Sequence, residues 1–237
     1  MNYSIHPDIF KAVPDFSRVV LVVSGANNAC DASDFVSVFR AALASSASNA
    51  NLKVEDERIR VWGELYRRFP LPRGEKIRPS HETLVRRIKR GDAERIPFIS
   101  PLVAVSNLTA LTHLVPSGVF DRAQIRGDLF LTFATGCETF QAFGKDSPES
   151  VVPGEPVLKD TGQDTVVCRA WNSRGGIQSS IASTTVDAVM DIDILTSIIS
   201  EQEIEETTTA AASMIRKHCG ASVQTLRLSQ QCTEIAI

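Results

Sequence analysis

The segment that most constrains this chain is Arg18 to Ser24 (RVVLVVS), an apolar run between Pro14 and Gly25. A short apolar run bounded by turn residues reads as a buried strand. Such a strand needs other elements packed over it. Candidates follow along the chain. Asp31 and Ser33 offer N-caps for a helix with Phe35, Val36, Phe39, Ala42 and Leu43 at spacings of three and four. Leu43 to Asn51 (LASSASNAN) reads as a loop. A second helix is predicted from about Glu55 to Phe69, ended by Pro70 and Pro72, and Ser80 caps a third that Gly91 stops.

Beyond Pro97 the chain reads Ile99 to Val105, then a helix around Asn107 to Leu114. Strands are predicted at Asp128 to Ala134, Thr165 to Ala170, Val186 to Asp193 and Val223 to Leu228, with an exposed loop at Asp146 to Gly154. Glu201 to Cys219 is the clearest helix: acids fill its first turn, Arg216, Lys217 and His218 its last, and Gly220 follows. Strands and helices mixed in irregular order favour an α+β fold over a doubly wound sheet, in a single domain over residues 1–237.

Composition excludes several classes. No run of eighteen apolar residues is present, the start Met1 to Pro7 has no secretory pattern, and five scattered cysteines lack metal-ligand spacing. The expectation is a cytoplasmic chain with buried free thiols, no membrane association, no cofactor and no metal. The net charge of -3 argues against a general nucleic-acid binder, yet Arg58 to Arg90 holds eleven basic residues and three acids. The rest of the chain holds fourteen basic and twenty-five acidic residues. That asymmetry suggests a basic face for phosphates, the alternative being basic side chains simply solvated on helices.

Phosphate loops, dinucleotide fingerprints and nucleophile elbows are all missing. Asp191 and Asp193 would share one face of a strand as a metal or acid/base pair, but a solvated strand face is the favoured reading. Arg174-Gly175-Gly176 reads as a phosphate nest or, better, as a tight turn. Trp171 beside Asn172 would wall a pocket and offer it a polar handle, the alternative being a core tryptophan.

Three ordered stretches carry more. Val61 to Phe69 with Arg78-Pro79-Ser80-His81-Glu82-Thr83-Leu84 is similar to an "aw…Y..fG.kP.r..PS.EaL" opening. Ser100 to Asn107, Leu114 to Asp121 and Ile125 to Leu129 look like "NpLVDvtN", "GqPlHaFD" and "l.Gdi". Val167 to Arg174, reaching Thr185, is similar to "lcRrWNwRqser…iTedT". These resemble the B3/B4 domain that edits mischarged tRNA in phenylalanyl-tRNA synthetase β subunits, and more closely its free-standing relatives. The family-like core spans about residues 55–193, with units 15–50 and 201–230 packed on it.

The resemblance implies mixed sheets surrounded by helices, a central cavity, and hydrolysis of the ester between a wrong amino acid and tRNA. The implied substrate pocket is Ser100, Ser106, Asn107, Gly118, Trp171, Arg174 and Ile177, with Asn172 and His113 as catalytic residues. The implied RNA face is Arg67, Arg68, Arg73, Lys76, Arg78, Arg86 and Arg87. The implied partner is a tRNA 3′ end or an amino-acid-like small molecule. The chain departs from the pattern: Gly118 replaces its His, Ile177 its Glu, Ala104 its Asp and Ser100 its opening Asn, while Ser106 keeps the hydroxyl. The less polar pocket leaves two alternatives, recruitment as a small-molecule isomerase, cyclase or lyase, and a non-catalytic binding module.

Overall fold

The computed structural model describes residues 1–29, 33–72 and 77–237. The chain opens with β1 (Asn2–Ile5), α1 (Pro7–Ala12), β2 (Phe16–Ser24), α2 (Ser33–Ser48), α3 (Glu57–Tyr66) and α4 (Ser80–Lys89). Next come α5 (Pro101–His113), β3 (Ser117–Asp121), β4 (Leu129–Phe133), β5 (Thr139–Phe140) and β6 (Glu149–Ser150). It ends with β7 (Pro156–Asp160), β8 (Thr165–Arg169), β9 (Arg174–Gly175), β10 (Ala188–Leu195), α6 (Glu201–Cys219), β11 (Ser222–Leu228) and β12 (Glu234–Ala236). The fold is α+β.

The apolar run lies inside β2, which sits in a four-stranded sheet of order β11-β2-β10-β3. Successive side chains of a strand point to opposite faces, so β2 serves two cores. Val19, Leu21 and Val23 pack with α2, α5 and α6 through Phe39, Leu108 and Ile215. Val20 and Val22 pack with Tyr3, Ile5, Leu129, Leu131 and Leu158 of the second sheet, ordered β12-β1-β4-β7-β8-β5-β6 with β9 on β8. The result is three layers: helices, small sheet, large sheet. None of the described helices is long and apolar enough to cross a membrane.

The helix α6 keeps its predicted bounds. Ser200 and Glu203 close a reciprocal capping box at its start, and Gly220 adopts φ 64° at its end. Elsewhere the structure corrects the reading. The predicted loop at 43–51 is helical to Ser48, because its alanines are strong helix formers and Leu43 is buried in the core. The helix α5 starts at Pro101 rather than Asn107: extended Ser100 accepts from the Val103 N–H, and proline suits the first helical turn. Pro79, not Ser80, precedes α4, and the Ser80 hydroxyl bonds Ser117 of β3 instead. The expected caps of α2, Asp31 and the Ser33 side chain, lie outside the described residues, as does Cys30. Cys168 and Cys219 are buried free thiols, whereas Cys137 and Cys232 are exposed.

Candidate functional site

The interface between the sheets carries charge where a core would be apolar. Asp191 and Asp193 point from β10 towards the large sheet and are 5% and 1% exposed. The expectation of a solvated strand face is therefore wrong. Its correction comes from β2: Arg18, 1% exposed, is Asp193's partner in the β2–β10 register. The Arg18 guanidinium grips Asp193 through Nε–Oδ1 and Nη2–Oδ2 contacts of 2.5 and 2.8 Å, and its Nη1 lies 3.3 Å from Asp191 Oδ2. A planar, two-pronged fit of this kind is the geometry in which a guanidinium and a carboxylate satisfy each other's hydrogen bonds.

Tyr3, from β1 in the facing sheet, donates its hydroxyl to Asp191 Oδ2 at 2.6 Å. Arg18 Nη1 also donates to that hydroxyl. Burial pushes the Asp191 carboxyl up to about 6; Arg18 opposes the rise and Asp193 adds to it. Burial likewise raises the Tyr3 and Tyr66 hydroxyls, so both remain protonated donors.

The Trp171-Asn172 pair reaches this cluster through an unusual turn. Ala170 and Trp171 are consecutive non-glycine residues with φ 47° and 65°. Left-handed backbone at such residues costs on the order of 1–2 kcal/mol each. Buried Glu155 offsets this by accepting the Ala170 N–H at 2.9 Å while holding Arg169 with two 2.9 Å contacts. The Trp171 N–H donates to the Pro156 carbonyl at 2.6 Å. The ring of Trp171 packs edge-on against Phe16 (4.8 Å) and Trp62 (5.9 Å). The turn delivers Asn172, whose Nδ2 donates to Asp193 Oδ2 at 2.8 Å and whose Oδ1 accepts from Tyr66 at 2.7 Å.

These groups enclose a cavity of about 20 Å³, the room of one water molecule. Arg18, Ser117, Gly118, Phe120, Cys168, Trp171, Asn172, Asp191 and Asp193 line it. On the far side of the Tyr66–Asn172 bond lies a surface groove of about 500 Å³. Tyr66, Arg67, Phe69, Leu71, Ile77, Arg78, Glu82 and Arg86 line that groove.

A family model described as the B3/4 domain matches residues 69–223 of the chain. The chain belongs to the B3/4 domain family. Asp191, Asp193, Gly118, Trp171 and Asn172 fall inside the matched segment, while Tyr3, Arg18 and Tyr66 precede it. The fold is similar to the crystal structure of an N-terminal fragment of the phenylalanyl-tRNA synthetase β-subunit from Pyrococcus horikoshii. The two share 9% identity at a TM-score of 0.47, over 94% of this chain and 52% of that one. The chain thus spans about half the length of that fragment. Among curated proteins, none matches.

The B3/4 domain brings together only part of the set that the sequence pointed to. Gly118, Trp171 and Asn172 line the cavity. Ser106 stands behind it, its hydroxyl 2.9 Å from that of Ser117. Ser100 is the cap of α5, and Asn107 is half-buried on the same helix away from the lining. His113 closes α5 beside Arg58, which donates to its carbonyl at 3.1 Å; burial and Arg58 depress its ring's affinity for a proton. It does not share the cavity with Asn172. Arg174 lies 3.4 Å from Glu149 over the Phe140 ring, and Ile177 is exposed.

The Gly-Gly segment forms β9 and a tight crossing, where a Cβ on Gly176 would sit 3.0 Å from the Val166 carbonyl. Of the basic set, Arg67, Arg78 and Arg86 line the groove, and the latter two flank Glu82 at 3.2 and 2.6 Å. Arg68 donates to the Ala12 carbonyl and Arg87 to that of Arg95. Arg73 and Lys76 lie outside the described residues. Sequence reasoning missed Arg18 and Tyr3 entirely. The one available signal for Arg18 was an arginine opening an otherwise apolar strand.

Proposed function

We propose that this B3/4 domain hydrolyses the ester joining an amino acid to a tRNA 3′ end, acting in trans on charged tRNA. The observation that carries the reading is the Tyr66–Asn172 hydrogen bond of 2.7 Å, which joins the arginine-lined groove to the acid-lined cavity. Arg67, Arg78 and Arg86 suit phosphate oxygens, and Phe69 offers a ring on which a terminal base can stack. A groove of about 500 Å³ takes a nucleoside with its acyl group.

Ester hydrolysis asks little more of the protein than aim and polarity. A water must approach an activated carbonyl, the developing oxyanion needs donors, and the adjacent ribose hydroxyl can assist. Asn172 Nδ2 spends one N–H on Asp193, and an amide carries two, so the second is free to serve the oxyanion. Ser106 acts through Ser117 on the cavity wall.

A second reading, an enzyme for a small amino-acid-like metabolite, is favoured by Phe69, Leu71 and Ile77, which give the same groove an apolar side. One experiment separates the two. The protein is incubated with a total aminoacylated tRNA pool at low and physiological salt, and the released amino acids are counted. Release of one amino acid above the buffer rate, weakening with salt, supports the deacylase. An intact pool with no binding even at low salt overturns it in favour of the metabolite reading.

A further inference from the structure

Among the described residues, two buried polar atoms of cavity-lining residues have no hydrogen-bond partner: Asp191 Oδ1 and Trp171 Nε1. Their residues are 5% and 1% exposed. An unpaired polar atom in a protein interior is costly, because it has given up its water without gaining a partner. Here one acceptor on β10 and one donor on the turn after β8 belong to residues that wall a space of about 20 Å³. The neighbours are all committed. Oδ2 of Asp191 is held by Tyr3 and approached by Arg18, both carboxylate oxygens of Asp193 are held by Arg18, and Oδ2 also accepts from Asn172. Among the described residues, Asp191 Oδ1 is the carboxylate oxygen of the pair left over. The strained turn at Ala170-Trp171 is what brings the indole there.

We infer that this cavity seats the attacking water, with Trp171 Nε1 donating to its oxygen and Asp191 Oδ1 accepting from it and taking its proton. The inference rests on the deacylase reading above and names the base for it. The water O–H bond breaks as its oxygen bonds to the acyl carbon, and the carbonyl pair moves onto the carbonyl oxygen. Collapse of that tetrahedral species breaks the bond to the ribose oxygen, which recovers the proton from Asp191. The products are the free amino acid and the free ribose hydroxyl, and Asp191 is again a carboxylate. Tyr3 on β1, Arg18 on β2, Cys168 on β8 and Asp193 on β10 face the carboxyl. Burial first, then Arg18, Asp193 and Tyr3, set its titration at about 6.

The test is a single-turnover pH profile of aminoacyl-tRNA hydrolysis for wild type, Asp191→Asn and Trp171→Phe, with melting curves to establish folding. A high-resolution crystal structure of the wild type accompanies it. The expected result is an ordered water on both atoms and an inflection near pH 6 in the wild type. Asp191→Asn should lose about 100-fold or more in rate along with the inflection. Trp171→Phe should fall in single-turnover rate at saturating protein, with the half-saturating concentration and the inflection retained. Folded Asp191→Asn as fast as an active wild type overturns the base role and leaves the deacylase reading standing. A wild type inert on every charged tRNA overturns that reading and the base role with it. A density map without the water overturns the seat itself.

Discussion

Asp191 stands directly opposite Gly118 across the antiparallel β3–β10 ladder. Paired residues in such a ladder point to the same face, with Cβ positions about 4.5–5.5 Å apart. A glycine there leaves the carboxylate uncovered on that side, where any other residue would stand beside it. The buried carboxylates of this interface, Asp191 and Asp193, both sit on β10.

Gly118→Ala tests that relationship. Its Cβ would lie 3.1 Å from Phe120 Cζ, so the ring has to give by a few tenths of an ångström. Overpacking costs about 1 kcal/mol at the low end, and the lost freedom of the unfolded glycine returns about half of that. The expected outcome is a small shift in melting temperature with a clear fall in hydrolysis. A thermal melt beside the deacylation assay checks both.

Arg18→Met removes the counter-charge of two buried carboxylates. Breaking a buried pair while leaving its partner costs about 3–5 kcal/mol, far more than the pair's own net worth. Chemical denaturation should show that loss. Asp193→Asn, which keeps Arg18 beside the Asp191 carboxylate, should cost less.

Acid stability should carry opposing contributions from two residues. Burial holds the His81 ring down to about 3, so its contribution is fully present above the unfolded value of 6.5 and is lost as pH falls towards 3. Asp191 has the reverse sign. Its folded value near 6 exceeds the unfolded 3.8, so its contribution is present below about pH 4 and is lost as pH rises through 6. Denaturation midpoints from pH 4 to 7 should therefore rise more steeply in Asp191→Asn than in wild type. Equal slopes would exclude a raised Asp191.

Arg86→Ala and Arg67→Ala should weaken binding of uncharged tRNA while leaving the unfolding free energy within about 0.5 kcal/mol of wild type. Each lost phosphate contact lowers the slope of log affinity against log salt by about 1. Titrations at several salt concentrations read that slope. An unchanged slope in both variants would remove the groove from the RNA interface.

What the sequence by itself determined lies where neighbours along the chain decide the outcome. The bounds of α6 follow from Ser200, its acidic first turn and Gly220, all local signals. The buried strand β2 follows from seven consecutive residues. The segment around Trp171-Asn172 is legible as a cavity wall, although its left-handed turn is not, because the groups that hold it, Glu155 and Pro156, lie where another strand, β7, begins. Only the tertiary structure decided the acid cluster. Asp191-Ile192-Asp193 alternates polar and apolar, the pattern of a half-solvated strand, and nothing nearby contradicts that reading. The partners that make burial tolerable, Arg18 and Tyr3, are 175 and 188 residues away. A buried charge is stable only against a counter-charge placed by the fold, and periodicity carries no information about which distant strand will supply it.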